Sequence, residues 1–402
     1  MKETKMDILP QSAYEIKLPQ MVTVEQSFAD DCLEDIAARI KEQFAEKKDQ
    51  LGIKAGARTA VLVGSRGISN LALIVRSVID GLKAAGSEPF IVPAMGSHGG
   101  GKAEEQQRII EAYGVTGEAM GVPVVSSMET VQLGTTPEGV PVFFDANAAA
   151  ADAIVPVGRI KVHTGFKGPI ESGLCKMLAI GGGKHNGCAR LHHEGFEKFP
   201  RLIPAAAKVI IDELPVIFGA AIIENAHEHT WDVELVPAGK ILQREPELLR
   251  QSIALMPRIK FDDIDVLVIE RIGKEISGCG MDPNITGRMG DGPIEDFNGP
   301  RIKRILVEGL SPASHGNAIG IGLADFVTRD ALEGIDYEVT YTNCIASGDL
   351  NAGKIPIVVS DEEEGLRAAI QNCHGIDFND ARIVKIKDTL HLEKIQVSRN
   401  ML

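Results

Sequence analysis

The chain has 402 residues, which is more than a single hydrophobic core usually serves, so two domains are expected. Hydrophobic residues make up 44% of it and the formal net charge is −14, which predicts a folded, acidic protein. The negative charge argues against general nucleic-acid binding, and the lack of an apolar run of about 18 residues argues against a membrane-spanning helix.

The cysteines and the amino-terminal stretch indicate the compartment. Residues 1–19 lack the apolar core of a secretory signal peptide. The cysteines are scattered and form no C-x-x-C pair, at positions Cys32, Cys175, Cys188, Cys279, Cys344 and Cys373. This spacing excludes zinc-ribbon and ferredoxin-type sites and predicts reduced thiols in a cytoplasmic protein.

Strand-like and helix-like segments alternate through the first half of the chain, as βαβ units and a largely parallel sheet require. The predicted strands are residues 13–18, 59–63, 89–93, 153–157 and 216–223. The predicted helices are residues 33–48, 72–85, 102–113, 204–213 and 245–254. Two hairpins are predicted at 131–144 and 233–242, with turns at 137–139 and 237–239.

A second domain is predicted to begin after Pro257, where the apolar strand 264–270 follows a charged bridge. The alternation then continues over residues 303–307, 325–332, 337–342, 362–373 and 383–387. The sequence therefore predicts an α/β fold of two α/β domains, with mainly parallel or mixed sheets and a cleft between them. Residues 1–257 are expected to carry the cofactor and the catalytic residues, and residues 258–402 to close the cleft.

The densest group of chemically active residues lies between Gly158 and His193. Glycines and histidines are frequent there, and its six cationic residues face one anionic residue, Glu171. The cations are Arg159, Lys161, Lys167, Lys176, Lys184 and Arg190. Glycine lets backbone N–H groups approach a ligand, and Lys or Arg binds phosphate and carboxylate, so this stretch predicts an anion site. Among its members, Gly165, Gly173 and Lys184 are expected to contribute to it.

Two earlier loops follow predicted strands and also favour an anion. Gly96–Lys102 matches G-x-x-x-x-G-K, but Ala103 stands where a phosphate-binding loop needs Ser or Thr for magnesium. Presentation of His98 to a substrate is the favoured interpretation of this loop. Arg66 follows the strand 59–63, at the edge of an α/β sheet where ligands bind, and could clamp a carboxylate. Lys274 lies in a glycine-rich loop of the second domain and is predicted to face the cleft as a substrate-binding residue.

Taken in order, Arg66, the loop with His98, His163, Lys176 and His192 resemble the lactate racemase family of nickel-pincer hydroxyacid racemases and epimerases. The resemblance runs over roughly residues 60 to 200. It implies a cytoplasmic isomerase that racemises or epimerises a small 2-hydroxy acid. The implied cofactor is nickel in a pyridinium-3-thioamide-5-thiocarboxylic acid mononucleotide, the nickel-pincer nucleotide.

The resemblance also implies roles for individual residues. Lys176 would be joined covalently to the cofactor, and His192 would be the protein's nickel ligand. His98 and His163 would be the acid/base pair, and Arg66 would anchor the substrate carboxylate. Square-planar nickel suits soft sulfur together with imidazole nitrogen, and histidine transfers protons near neutral pH.

Several alternatives stay open at this point. Lys184 rivals Lys176 as the attachment residue, and His193 rivals His192 as the metal ligand. No Asp precedes Arg66 closely, and the residues after Lys176 differ from the lactate racemase pattern, so the substrate is expected to differ from lactate. Other functions are a nucleotide- or phosphate-ester-handling transferase that uses Gly96–Lys102, and a non-catalytic protein that binds hydroxy or keto acids. The sequence leaves the oligomeric state open.

Overall fold

A computed structural model describes residues 8–64, 67–290 and 299–402, and the chain forms two compact units. One unit is continuous and runs from Ala29 to Met256. The other combines the described residues up to Phe28 with Pro257–Leu402. Within the described residues, no helix is both long enough and apolar enough to cross a membrane.

The strands, numbered along the chain, are β1 (Met21–Glu25), β2 (Arg58–Val63), β3 (Glu88–Pro93), β4 (Thr130–Thr135), β5 (Pro141–Asp145), β6 (Ala153–Arg159), β7 (Phe218–Glu224), β8 (Thr230–Pro237), β9 (Asp263–Ile269), β10 (Arg301–Val307), β11 (Phe326–Thr328), β12 (Ile357–Val359), β13 (Ile383–Ile386) and β14 (Lys394–Ser398).

The α-helices are α1 (Gln11–Tyr14), α2 (Ile36–Glu46), α3 (Leu71–Ala84), α4 (Ala103–Ala112), α5 (Gly117–Met120), α6 (Ala146–Ala149), α7 (Leu174–Lys176), α8 (Lys184–His192), α9 (Phe199–Glu213), α10 (Ile241–Leu255), α11 (Pro283–Thr286), α12 (Arg329–Glu333), α13 (Tyr337–Ser347) and α14 (Glu362–Gln371). A π-helical turn, Met177–Gly181, leads from α7 towards α8.

The continuous unit is built on a sheet with the order β3-β2-β6-β7-β8 in the described residues. Its first four strands are parallel and β8 is antiparallel to β7. The side chains of β2 from Thr59 to Val63 are buried, because helices cover both faces of the sheet. Ala60 and Leu62 pack into one core and Val61 and Val63 into the other. The loops that follow β2, β3 and β6, and the turn from β7 into β8, therefore lie at the same edge of the sheet.

The second unit contains a mixed sheet with the order β1-β14-β13-β9-β10-β11-β12 in the described residues. Strands β9 to β13 run parallel, while β14 is antiparallel to β13 and β1 is antiparallel to β14. The predicted fold class is therefore confirmed: the chain is an α/β protein with two mainly parallel or mixed sheets. The predicted cleft stays a prediction.

The predicted division of the chain differs from the observed units at one end. The predicted change of domain between residues 257 and 258 lies one residue from the observed change at Met256 and Pro257. The described residues up to Phe28, however, belong with the carboxyl-terminal unit and not with residues 29–256. The reason is the pairing of β1 with β14, which no local pattern in the amino-terminal stretch indicates.

Two local predictions were wrong. The predicted strand 13–18 begins within the short helix α1. The predicted hairpin 233–242 does not form, because β8 pairs with β7 before it and the residues after Pro237 lead into α10. The turn of the real hairpin lies at Asn225, whose side-chain oxygen accepts hydrogen bonds from the backbone N–H groups of His227 and His229.

Candidate functional site

The loop that carries His98 follows β3 and is fastened to the rest of the unit at several points. The buried Gln106 side chain donates to the carbonyl oxygens of Gly96 and His98 at 2.8 and 3.0 Å. The N–H of Gly96 donates to the carbonyl of Gly181, which precedes α8. Gly96 has φ +60°, and a Cβ there would lie 3.0 Å from the Sγ of Cys188, so glycine is required by both conformation and space. The exposed His98 is thereby held beside α8.

The backbone hydrogen bonds of this loop also argue against its use as a phosphate-binding loop. The N–H groups of Gly96, His98, Gly101 and Lys102 all donate to protein carbonyl oxygens. A phosphate cradle needs such N–H groups to point at the anion. Most of the backbone donors of Gly96–Lys102 are therefore already used inside the protein.

His163 lies in the loop after β6, where a buried carboxylate holds the backbone. The N–H of His163 donates to Glu171 at 2.6 Å, and that of Gly168 donates to the same carboxylate at 3.2 Å. Burial raises the pKa of Glu171, although the positive charge of Lys167 opposes this effect. The ring of His163 stacks on Phe166 with centroids 4.4 Å apart. Its Nδ1 accepts a hydrogen bond of 2.9 Å from the N–H of Gly165.

Lys176 ends the short helix α7, whose first turn is anchored from α10. The carboxylate of Glu245, which is 1% exposed, accepts a hydrogen bond of 2.9 Å from the N–H of Cys175. A side chain at Gly173 would overlap this carboxylate, so the small residue allows the close approach. Burial raises the pKa of Glu245 to about 7. The half-buried Lys176 therefore lies at the end of a helical turn whose beginning is held in place by hydrogen bonding.

His192 lies at the end of α8, one turn beyond Cys188. Its Nδ1 is 2.8 Å from the carbonyl oxygen of Cys188 and 3.5 Å from its sulfur. Desolvation lowers the pKa of His192, but the contacts with Cys188 outweigh it and leave the pKa above its ordinary value. The positive charge of Lys176 acts in the opposite direction and lowers the pKa of His192.

An aromatic cluster of Phe166, Phe196 and Phe199 joins the two histidines. The ring centroid of His192 lies 5.6 Å from that of Phe196 and 5.0 Å from that of Phe199. The ring centroid of His163 lies 5.8 Å from that of Phe196. The structure therefore brings the surroundings of His163, Lys176 and His192 together, with the loop of His98 packed on α8.

Lys184 has a different environment from Lys176. It is fully buried, its ammonium donates to the carbonyl oxygen of Pro93, and it lies 3.4 Å from the buried carboxylate of Asp145. Desolvation lowers the pKa of Lys184 and raises that of Asp145, although each charge opposes the shift of the other. The ion pair connects α8, the end of β5 and the base of the loop that carries His98.

Much of the positive charge between Gly158 and His193 is neutralised by carboxylates. In the described residues, at least four of its six cations form ion pairs, among them Arg159 with Glu224, Lys167 with Glu171, Lys184 with Asp145 and Arg190 with Glu194. Counting charges in the sequence therefore overstates the field that this stretch offers to an anion. The partners Asp145, Glu224 and Glu194 lie outside the stretch, so a count within it misses them.

The remaining predicted residues fall in different places. Arg66 lies outside the described residues. Gly165 directs its N–H at His163, and Gly173 packs against Glu245. Lys274, in the other unit, is exposed and donates to the carbonyl of Gly278 and the side chain of Asn343, both at 3.0 Å.

Four residues that sequence reasoning did not single out organise this site: Gln106, Cys188, Glu224 and Glu245. Glu224, at the end of β7, forms an ion pair with Arg159 and accepts a hydrogen bond of 2.7 Å from the N–H of Ser69 in the loop after β2. The helical spacing of Cys188 and His192 is visible in the sequence as i and i+4. The burial of Gln106 and Glu245 in otherwise ordinary surface helices has no comparable local signal.

Comparisons with known proteins agree with this geometry. Residues 4–196 match the family model described as the lactate racemase N-terminal domain. No curated protein matches the chain. A crystal structure of a Thermotoga maritima protein is similar, with 15% identity, a TM-score of 0.54 and coverage of 91% of this chain and 99% of the other. The structure of the lactate racemase apoprotein from Thermoanaerobacterium thermosaccharolyticum is also similar, with 14% identity, a TM-score of 0.52 and coverage of 90% and 93%. The two structural likenesses support the fold, and the sequence match to the lactate racemase N-terminal domain model covers residues 4–196.

Proposed function

We propose that this protein is a racemase or epimerase of a small 2-hydroxy acid that carries a nickel-pincer nucleotide on Lys176. One observation supports this more than any other: a single helical segment, from α7 to α8, carries both Lys176 and His192, and the ring of His192 packs on an aromatic cluster that His163 also contacts. The match of residues 4–196 to the lactate racemase N-terminal domain model gives the proposal its reaction class.

The residues present fit a metal ligand at His192. Because its Nδ1 is 2.8 Å from a carbonyl oxygen, that nitrogen carries the proton, and Nε2 keeps its lone pair. Metal-binding histidines commonly donate their other ring N–H to a backbone carbonyl or carboxylate, which fixes the tautomer and the ring orientation. Both His192 and His193 are exposed, but the ring of His192 is the one that packs on the aromatic cluster. We therefore favour His192 over His193.

Lys176 fits the attachment role better than Lys184. A covalent bond to the cofactor needs an amine that a ligand can reach, and the Lys184 ammonium is enclosed and already paired with Asp145. Lys176 is half-buried, at the end of α7. We assign a structural role to Lys184.

When bound, the nickel-pincer nucleotide would supply the acceptor for the hydride of the substrate. The protein's own residues would then bind the acid and handle its hydroxyl proton. His98 and His163 are proposed as the proton-handling pair, because imidazole exchanges protons near neutral pH. Arg66 is proposed to anchor the substrate carboxylate, with Lys274 as a further substrate-binding residue.

Metal analysis and intact mass test this proposal. We expect protein from a host that makes the cofactor to contain about one nickel per chain and a mass adduct on the peptide with Lys176. A chiral assay over short 2-hydroxy acids then identifies the substrate. Lys176→Arg, which keeps the charge, is the matched control and should carry neither adduct nor nickel. If protein from such a host contains neither nickel nor the adduct, the proposal is ruled out.

A further inference from the structure

The ring of Phe196 contacts the rings of both His163 and His192. Its centroid lies 5.8 Å from that of His163 and 5.6 Å from that of His192. Phe166 and Phe199, the other members of the aromatic cluster, are 4% and 0% exposed and belong to the hydrophobic core. Phe196 packs against this core but is only partly buried. Part of its ring is therefore exposed beside the two histidines.

A turn after α8 places Phe196 in this position. The chain reverses at Gly195, which has φ +86° and therefore favours glycine, and the N–H of Gly195 donates to a carbonyl oxygen of α8 at 3.1 Å. The carboxylate of Glu194 forms ion pairs with Arg190 at 3.1 Å and with Lys198 at 2.9 Å. These contacts hold the turn on both sides of Phe196.

We infer that Phe196 packs against the side chain of the substrate, and that the substrate is a 2-hydroxy monocarboxylic acid whose side chain is apolar and larger than a methyl group. The inference rests on the proposed function, which places the carbon that carries the hydroxyl group close to both His163 and His192. A ring that contacts both residues borders the groups attached to that carbon.

The charges around the site argue against a second carboxylate on the substrate. At least four of the six cations between Gly158 and His193 form ion pairs with protein carboxylates. A second carboxylate would thus find most of this positive charge neutralised, and a buried carboxylate without a matching cation is unfavourable. An apolar side chain needs no such partner. Its contact with Phe196 would instead stabilise the complex by removing apolar surface from water.

Chiral turnover by protein that carries the cofactor tests the substrate class. Lactate, 2-hydroxy-4-methylpentanoate, 3-phenyllactate and malate share the reacting group, but their side chains are a methyl group, a branched aliphatic group, an aromatic group and a charged group. We expect kcat/KM to be at least about tenfold higher for the two large apolar acids than for lactate, and lowest for malate. A preference for lactate or malate, in protein that contains nickel and the Lys176 adduct, overturns the inference and leaves the proposed function standing.

Two substitutions test the role of Phe196 itself. Phe196→Ala should lower kcat/KM for 3-phenyllactate by about 10- to 200-fold and that for lactate by less than about threefold. Phe196→Leu keeps an apolar side chain, so it should fold and still prefer large apolar acids to lactate. Its kcat/KM should fall more for 3-phenyllactate than for 2-hydroxy-4-methylpentanoate. An equal loss for every acid would mean that Phe196 supports the cofactor or the histidines, and would overturn the inference.

Phe44→Ala is the matched control. Phe44 is half-buried in α2 of the same unit, and its ring centroid lies 5.7 Å from that of Phe218. We expect this variant to be less stable than the wild type, because it loses a similar aromatic contact. The ratios of kcat/KM among the four acids should not change.

Fluorine NMR gives a readout that needs no turnover. In protein that carries the cofactor and has 4-fluorophenylalanine at its 13 Phe positions, Phe196→Leu assigns the signal of Phe196 by its disappearance. Addition of 3-phenyllactate should shift that signal, and a signal that stays in place overturns the inferred contact. Absence of nickel, of the adduct and of turnover with all four acids removes the proposed function, and the inferred substrate class falls with it.

Discussion

Lys176 and Lys184 lie on one helical segment, and as residues in a sequence they are equivalent candidates. Lys176 is half-buried at the end of a short turn, whereas Lys184 is fully buried against Asp145 and the carbonyl of Pro93. The difference shows that a concentration of basic residues can include both a partly exposed amine and a buried ion pair. Burial and partners distinguish them, and neither is visible in a local count of charges.

The residues between the two lysines explain how the segment changes environment. Three consecutive glycines, the first of which ends the π-helical turn Met177–Gly181, pack closely against other parts of the unit. A Cβ at Gly181 would lie 2.7 Å from the carbonyl oxygen of Ala94, and one at Gly182 would overlap Phe144. The glycines therefore bring the backbone close to the ends of β3 and β5, where Lys184 meets its partners. π-Helical turns are often found at functional sites.

Replacing Lys176 should have the largest effect on activity. In Lys176→Ala the mass adduct should disappear and racemisation should fall at least about a thousandfold, equivalent to about 4 kcal/mol. The midpoint of thermal unfolding should change little, because the side chain is half-buried and the turn is anchored by Glu245. Intact mass, chiral turnover and calorimetry measure these quantities. An adduct that persists in Lys176→Ala would move the attachment to another residue.

Replacing Lys184 should instead reduce stability. Lys184→Met leaves the carboxylate of Asp145 buried without its cation, and breaking such a pair costs about 3–5 kcal/mol. Chemical denaturation measures the free energy of unfolding. The double variant Lys184→Met with Asp145→Asn should recover part of the loss, since no charge stays buried. If the single variant keeps full stability but loses the adduct, the roles of the two lysines are reversed.

The buried carboxyl group of Glu245 should make the stability of the protein depend on pH. Burial raises its pKa from 4.5 to about 7. Between these pH values the carboxyl group is therefore protonated in the folded state and ionised in the unfolded state. This contribution to stability is complete below pH 4.5 and is lost as the pH rises to about 7, in total about 3 kcal/mol. Denaturation curves from pH 4.5 to 8 should show this decline in the wild type, and it should be absent in Glu245→Gln.

A control for that comparison is Gln43→Ala, in the same unit. Gln43 is also buried and accepts a backbone hydrogen bond of 2.9 Å from Leu235, but it does not titrate. Gln43→Ala should lower stability by a similar amount at every pH. An unchanged pH dependence in Glu245→Gln would show that other groups produce it.

Gly181 and Gly187 provide the smallest and most specific test. Gly181→Ala places a methyl group against the carbonyl of Ala94, and such overpacking costs about 1–3 kcal/mol. Gly187 lies inside α8 with 3.4 Å to the nearest atoms, so Gly187→Ala should be neutral or stabilise the protein by up to about 1 kcal/mol. Free energies of unfolding compare the two. Equal effects would mean that the loop of His98 is not held closely against Gly181.

The sequence predicts the continuous unit well because its signals are local. Residues 59–63 and 89–93 are short apolar runs between amphipathic helices, and they became β2 and β3 almost unchanged. The hairpin at Pro137-Glu138-Gly139 was also predicted, since its turn residues are characteristic. The strand predicted at residues 13–18 was wrong, because it begins within the short helix α1.

The candidate site was predictable only in part, for a similar reason. Histidines and lysines at strand ends can be identified along the chain, and the structure gathers the surroundings of His163, Lys176 and His192. The residues that hold them come from distant positions, such as Gln106 under His98 and Glu245 behind Lys176. Long-range partners of this kind leave no local pattern, because a buried Gln or Glu in a helix resembles a surface residue in sequence.

The pairing of β1 with β14 sets an order in which the two sheets can be completed during synthesis. Every strand of the five-stranded sheet has been made once the ribosome has passed Pro237. The other sheet cannot acquire its first strand until Ser398, the partner of Met21, has emerged. Domains generally fold as units from the amino terminus during translation. The half of the protein that holds Lys176 and His192 is thus able to fold while the strand that begins the other half still waits for its partner.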